Sequence, residues 1–248
     1  SCVLANRSST SDGYFKIHHN VFAYRRPENG TYDDQNDQDA IRIGNSSTSL
    51  SSAYSEVYDN LFYDWIGEIE IISNKSCNNK YYNNTFSNYA GAMTLRHGND
   101  CEVYNNFFFA NSTYKSGGVR VIGERHKVYN NYISGVRYLG SDNTGGINIS
   151  NGRPNTALNG YYQVIGAEIV NNTLVDCDLG IRVGTKVASD LTLAPKDVKI
   201  ANNIMVCSSS SHNAIQVVTA LTGTSLYEAN SRQSGKWDIT TGGTNTVV

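Results

Sequence analysis

Glu102-Val-Tyr-Asn-Asn106-Phe-Phe and Lys127-Val-Tyr-Asn-Asn131-Tyr-Ile are two statements of one phrase, 25 residues apart. Five more copies surround them: Phe15-Lys-Ile-His-His-Asn20-Val-Phe, Glu56-Val-Tyr-Asp-Asn60-Leu-Phe, Lys80-Tyr-Tyr-Asn-Asn84-Thr-Phe, Glu168-Ile-Val-Asn-Asn172-Thr-Leu and Lys199-Ile-Ala-Asn-Asn203-Ile-Met. The second Asn therefore recurs at 20, 60, 84, 106, 131, 172 and 203. The close spacings of 24, 22 and 25 set the period, and the gaps of 40, 41 and 31 carry insertions. Short alternating segments at such a period, without a helical pattern, predict a solenoid of β coils. Leucine-rich repeats share the period but need a Leu framework that is missing. In a parallel β-helix an Asn at a fixed corner stacks on its counterparts and hydrogen-bonds along the ladder.

A second row of strands aligns with the first. It runs through Ala40-Ile-Arg-Ile-Gly, Glu68-Ile-Glu-Ile-Ile, Ala92-Met-Thr-Leu-Arg, Gly118-Val-Arg-Val-Ile, Gly146-Ile-Asn-Ile-Ser, Gly180-Ile-Arg-Val-Gly and Ala214-Ile-Gln-Val-Val. Alternation turns the aliphatic positions inward and the residues between them outward. Arg42, Glu70, Thr94, Arg120, Asn148, Arg182 and Gln216 are thus expected to form one outward column. Such a polar wall, read by several coils at once, suits an extended polymer. The fold expected is all-β: a right-handed, single-stranded parallel β-helix of about seven or more coils, in one domain over residues 1–248.

Composition agrees and excludes alternatives. The chain of 248 residues holds 30 Asn and only 3 Pro, an excess that the repeat places at turns. Twenty Lys and Arg against 22 Asp and Glu leave a net charge of −2, so binding to nucleic acid by bulk charge is excluded. The longest apolar run falls far short of the ~18 residues of a membrane span. Five Cys at low density, without a Cys-x-x-Cys spacing, argue against a disulfide scaffold and a zinc site.

Unlike charges gather on neighbouring coils in Gly67-Glu-Ile-Glu-Ile-Ile-Ser-Asn-Lys75, Thr94-Leu-Arg96-His97 and Gly117-Gly-Val-Arg120. Two carboxylates two residues apart on a strand repel each other and ask for a cation, for which hard oxygen ligands suit Ca²⁺. An acidic stripe neutralised by Arg42 and Arg120 satisfies the same spacing. Lys75 and Arg96 read either as solvated edge residues or, beside a metal, as a base and a proton-donating cation.

At these residues the sequence resembles polysaccharide lyase family 6, the alginate lyases and the related chondroitinase B. The matching text is Glu68-Ile-Glu-Ile-Ile-Ser-Asn-Lys-Ser76, Asn83-Asn-Thr-Phe86, Thr94-Leu-Arg-His-Gly-Asn99, Gly117-Gly-Val-Arg-Val-Ile-Gly123 and Ala40-Ile-Arg-Ile-Gly44, within a span from about residue 3 to about 206. The resemblance implies Lys75 as catalytic base, Arg96 as catalytic acid, and Glu68, Glu70 and Asn36 as calcium ligands. Where the family has Asn-Gly-Gly-Glu, this chain has Asn36-Asp-Gln-Asp39. Arg120 matches a substrate-binding arginine of the alginate-cleaving members, His97 lines the same cleft, and Arg125 and His126 are placed with the substrate-binding side chains. The implied activity is calcium-assisted β-elimination on alginate, giving 4,5-unsaturated uronate ends. A dermatan sulfate lyase and a non-catalytic polysaccharide-binding β-helix are the alternatives. Against the family pattern, the chain is expected to lack N-terminal coils and a cap of a longer protein, which would let it associate through uncapped ends. The expected partner is an anionic polysaccharide, with no nucleic acid and no membrane, and the substrate places the protein outside the cell or in the periplasm.

Overall fold

A computed structural model describes residues 1–32, 35–141, 143–239 and 244–248. Among the described residues the strands form three parallel sheets of nine, eight and nine strands, and each strand pairs with its counterpart one coil away. The chain is a parallel β-helix, nearly all β. No helix is long and apolar enough to cross a membrane.

The repeated phrase builds one corner. In Asn83-Asn84, Asn105-Asn106, Asn130-Asn131, Asn171-Asn172 and Asn202-Asn203 the first residue is left-handed, with φ between +56° and +58°. Asn tolerates this conformation better than other residues with a Cβ. The second Asn faces inward and makes the ladder. Asn106 Nδ2 donates to Asn131 Oδ1 at 3.0 Å and to the carbonyls of Tyr81 and Tyr104, while its Oδ1 accepts from the backbone and side-chain amides of Asn84. The chain of bonds extends past the seven sequence copies to Asn230 and Asn245. Replacing Asn106, which is 1% exposed, by Ala strands the Asn84 donors in the core. We expect a loss of about 3 kcal/mol in urea unfolding, from unmade buried hydrogen bonds.

Beside the ladder the interior is packed by stacked side chains. Phe22, Phe62, Phe86 and Phe108 stack with centroids 5.1, 4.5 and 4.5 Å apart. On the outer face of the eight-stranded sheet, Lys16, Glu56, Lys80, Glu102, Lys127, Glu168 and Lys199 pair in register from coil to coil, so charges alternate in sign along the solenoid. The five Cys are free thiols, and Cys77, Cys101, Cys177 and Cys207 are buried.

The second row departs from its expected register at one coil. Ile41, Arg42 and Ile43 pair with Ile72, Ser73 and Asn74, so Ser73 holds the column position expected of Glu70. Glu70 pairs instead with Ala92, and Ile71 is an extra residue before Ile72 meets Met93. Both Ile71 and Ile72 are buried, as a β-bulge allows and strict alternation does not. The outward column also differs from the open wall expected. Thr94, Arg120, Asn148 and Arg182 are at most 4% exposed, because insertions fold back across the sheet. Arg182 Nη1, for example, donates to the carbonyls of Ser141 and Thr144.

Candidate active site

One cleft of about 360 Å³ opens on the nine-stranded sheet of the second row. Gln35, Asn36, Ser46, Glu68, Ile69, Glu70, Lys75, Arg96, His97, Arg120, Asn159 and Tyr161 line it. Strand Glu70–Lys75 supplies the acid at its start and the amine at its end. The neighbouring strand Gly91–His97 pairs His97 with Lys75 and leaves Arg96 as the extra residue of a second bulge. Two bulges in one strand pair thus re-aim the side chains that border the cleft. Gly98 follows at φ +87°, where a Cβ would lie 2.3 Å from the Ser76 carbonyl oxygen, so the chain can turn away directly after His97 only with glycine.

Charges in the cleft are strongly unbalanced locally. Glu68 precedes the strand and is 4% exposed. Burial, with Asp39 and Glu70 as like-charged neighbours, pushes its carboxyl up to about 8. Glu70 is better compensated: its Oε1 lies 3.4 Å from Arg120 Nη1 and 3.8 Å from Arg96 Nε, and Ser73 Oγ donates to its Oε2 at 2.7 Å. Arg42 does not reach this pair and binds Asp37 and Asp39 instead. Neutralisation of the acidic stripe by Arg42 and Arg120 therefore holds for Arg120 alone.

Lys75 and His97 are both driven towards their neutral forms. Burial lowers Lys75 below the usual lysine range, and Arg42 and Arg96 add to the effect. Burial, then Arg96 and Lys75, bring His97 down to about 3, so it is a neutral ring over the whole neutral range. Arg96 is lowered by burial too, yet an arginine stays charged. Its Nη1 and Nη2 donate to the carbonyls of Gly160 at 3.0 Å and Asn159 at 3.3 Å. Its guanidinium lies 4.5 Å from the centre of the Tyr161 ring.

Eight of the ten side chains read as functional or neutralising converge on this cleft or its rim: Asn36, Arg42, Glu68, Glu70, Lys75, Arg96, His97 and Arg120. Arg125 and His126 do not, which corrects their expected contact with substrate. Arg125 is held outside by Asp100 and Glu124. His126 is fully buried at a corner, where Nδ1 accepts from the Cys101 amide at 3.1 Å and Nε2 faces the Ile122 carbonyl at 3.0 Å. Both its nitrogens are used by backbone, so it acts as structure. Tyr161, Asn159 and Asp39 were not read from the sequence. Asp39 could have been, as a third carboxylate just before the Ile-Arg-Ile-Gly strand; Tyr161 lies in an insertion whose path no repeat predicts.

The donors fit a calcium ion in kind. Glu68 and Glu70 offer carboxylates and Asn36 an amide oxygen, and the raised Glu68 carboxyl marks negative charge that the protein leaves uncompensated. Among the described residues, no three His, Cys, Asp or Glu side chains form a ready-made metal cage.

The sequence profile named Chondroitinase B matches residues 3–235, and the chain belongs to this family, within the type called polysaccharide lyase family 6. Among solved structures, the PL6 family alginate lyase AlyGC superposes with a TM-score of 0.88 and 32% identity, over 99% of this chain and 33% of its own. A PL6 alginate lyase in complex with a trisaccharide gives 0.76 and 26%, over 89% of this chain and 52% of its own. A mannuronic acid specific family 6 lyase from human gut microbiota gives 0.74 and 25%, over 94% and 51%. The chain thus spans between about a third and half of the length of these structures. A comparison with curated proteins finds no match.

Proposed function

We propose that this chain carries the active site of an alginate lyase that works by β-elimination with a bound calcium ion. The observation that carries the reading is the meeting, in one cleft, of a lysine pressed towards its neutral form, a half-buried arginine and a pair of acids. The polymer threads the cleft with one uronate carboxylate towards Glu68, Glu70 and Arg120. Bound by Asn36, Glu68 and Glu70, calcium would neutralise that carboxylate and stabilise charge developing beside it. The neutral amine of Lys75 takes the proton from C5. The electron pair left behind forms the C4–C5 double bond, and the C4–O4 bond breaks. Arg96 donates hydrogen bonds to the departing O4 from a site where water competes weakly, O4 takes up a proton from water, and Lys75 then returns the C5 proton to solvent. His97, neutral beside them, shapes the cleft without adding a charge that would repel Lys75 further.

Both polymers carry a uronate carboxylate, so the choice of alginate over dermatan sulfate follows the resemblance of Arg120 to the substrate-binding arginine of the alginate-cleaving members. Relatives described as alginate lyases support the same choice. Activity on a cleaved extracellular polymer makes secretion or export to the periplasm part of this proposal. The test is incubation with alginate and with dermatan sulfate in parallel, followed by ultraviolet detection of unsaturated uronate. We expect product from alginate. Product from dermatan sulfate alone would replace the substrate, and oligosaccharide binding without any product would make the chain a binder.

A further inference from the structure

The insertion that follows Ser150 returns to the cleft as a tight loop, closed by the backbone bond from Arg153 to Tyr161 at 2.8 Å. It delivers three groups in a row against two arginines. The carbonyls of Asn159 and Gly160 take one N–H from each terminal nitrogen of Arg96. The centre of the Tyr161 ring lies 4.5 Å from the guanidinium of Arg96 and, more distantly, 5.6 Å from that of Arg120 and 5.8 Å from Lys186 Nζ. The Tyr161 hydroxyl accepts from Arg120 Nη2 at 2.9 Å. Arg120 is 2% exposed, and its Nε–H has no hydrogen-bond partner among the described residues. Burial alone would raise the Tyr161 hydroxyl, but Arg120, Lys186 and Arg96 outweigh it and hold it below the usual tyrosine value.

We propose that Tyr161 is a positioning residue with two separable halves: its ring orders Arg96, and its hydroxyl orders Arg120. The inference rests on the lyase reading given above. A guanidinium has five N–H groups in one plane. With two given to the Asn159 and Gly160 carbonyls and the plane set against the ring, the remaining N–H groups of Arg96 are fixed in direction. That order matters for departure of O4, hence for kcat. Arg120, tied between Glu70 Oε1 and the Tyr161 hydroxyl, meets the bound carboxylate in the ground state, hence KM.

Two variants separate the halves. Tyr161→Phe keeps the ring and should raise KM about fivefold to tenfold, the scale of one ordinary intramolecular hydrogen bond, with kcat within about twofold. Tyr161→Leu loses both and should lower kcat by about thirtyfold or more while raising KM to a similar degree. Tyr161→Trp, which restores a cation-binding face without the hydroxyl, should recover kcat and not KM. Binding is read separately, without turnover, by calorimetry of an alginate trisaccharide on Lys75→Ala and on Lys75→Ala/Tyr161→Phe; the second should bind about fivefold to tenfold more weakly. Equal losses of kcat in the Phe and Leu variants, an unchanged KM in Tyr161→Phe, or losses that only track a lowered melting temperature would overturn the inference. A wild-type chain that yields no unsaturated product would overturn the lyase reading itself, and is seen before any variant is made.

Discussion

We expect Lys75→Ala to release unsaturated uronate from alginate about 10²–10⁴-fold more slowly than the unaltered chain, the range that positioned general bases supply. The loss is in kcat, because the amine acts on the C5 proton and the carboxylate contacts of Arg120 stay in place. The pH profile makes the claim specific. Lys75 must be neutral to accept a proton, so kcat/KM climbs as pH rises through its pKa. Burial first, and then Arg42 and Arg96, lower that pKa, so the rising limb lies below the ordinary lysine value of about 10.4. His97 is already neutral above about 3 and adds no limb in the neutral range. A variant Lys75→Ala that keeps its rate, or a rising limb unchanged by that substitution, removes Lys75 from the mechanism.

On the proposed reading, calcium is expected to raise the melting temperature of the chain by about 5–10 °C when present, near pH 8, at a hundredfold excess over its dissociation constant. At one fixed calcium concentration the increment is expected to grow with pH. Glu68 holds its proton up to about 8 in the folded protein, whereas the unfolded carboxyl gives it up near 4.5. Below 4.5 both states carry the proton and the group has no effect on stability relative to that limit. Between the two values the folded state binds more protons, so without metal stability falls as pH rises, and the loss is complete above about 8. A cation held by ionised Glu68 and Glu70 reverses the penalty, and its binding releases the Glu68 proton. The calcium increment should therefore be small at pH 5 and largest near pH 8, and Glu68→Gln should flatten it. An increment independent of pH, or full activity after exhaustive chelation with no metal retained, rules calcium out of this cleft.

How far the chain could be read without coordinates follows from what repeats. The Asn corner was legible because each copy obeys the same two constraints, a left-handed residue followed by an inward amide, and neither admits many residue types. The acids, Lys75, Arg96, His97 and Arg120 were legible as a group because successive coils bring residues about 25 positions apart into contact. Register at Glu68 to Ile72 was not, because a bulge inserts a residue without changing the alternation on either side. Arg125 and His126 were misplaced for a related reason. They follow Gly123, whose left-handed backbone turns the chain off the site sheet, so proximity in sequence to Arg120 ceased to mean a shared face. Tyr161 was invisible, since an insertion is by definition what the repeat does not describe.

The alternating lysines and glutamates on the eight-stranded sheet bear on how such a solenoid finds its own order. Coils with nearly the same phrase can dock one position out of turn at little cost in hydrophobic contact. Here a slip of one coil sets Lys beside Lys or Glu beside Glu, while a slip of two restores attraction but must stretch the insertions. Like charges facing each other across neighbouring strands are destabilising, so wrong stackings are penalised before the core closes. The same parity governs what evolution or a protein engineer can remove: coils leave this surface in pairs, because excising a single one, such as that of Lys80, would press Glu56 against Glu102.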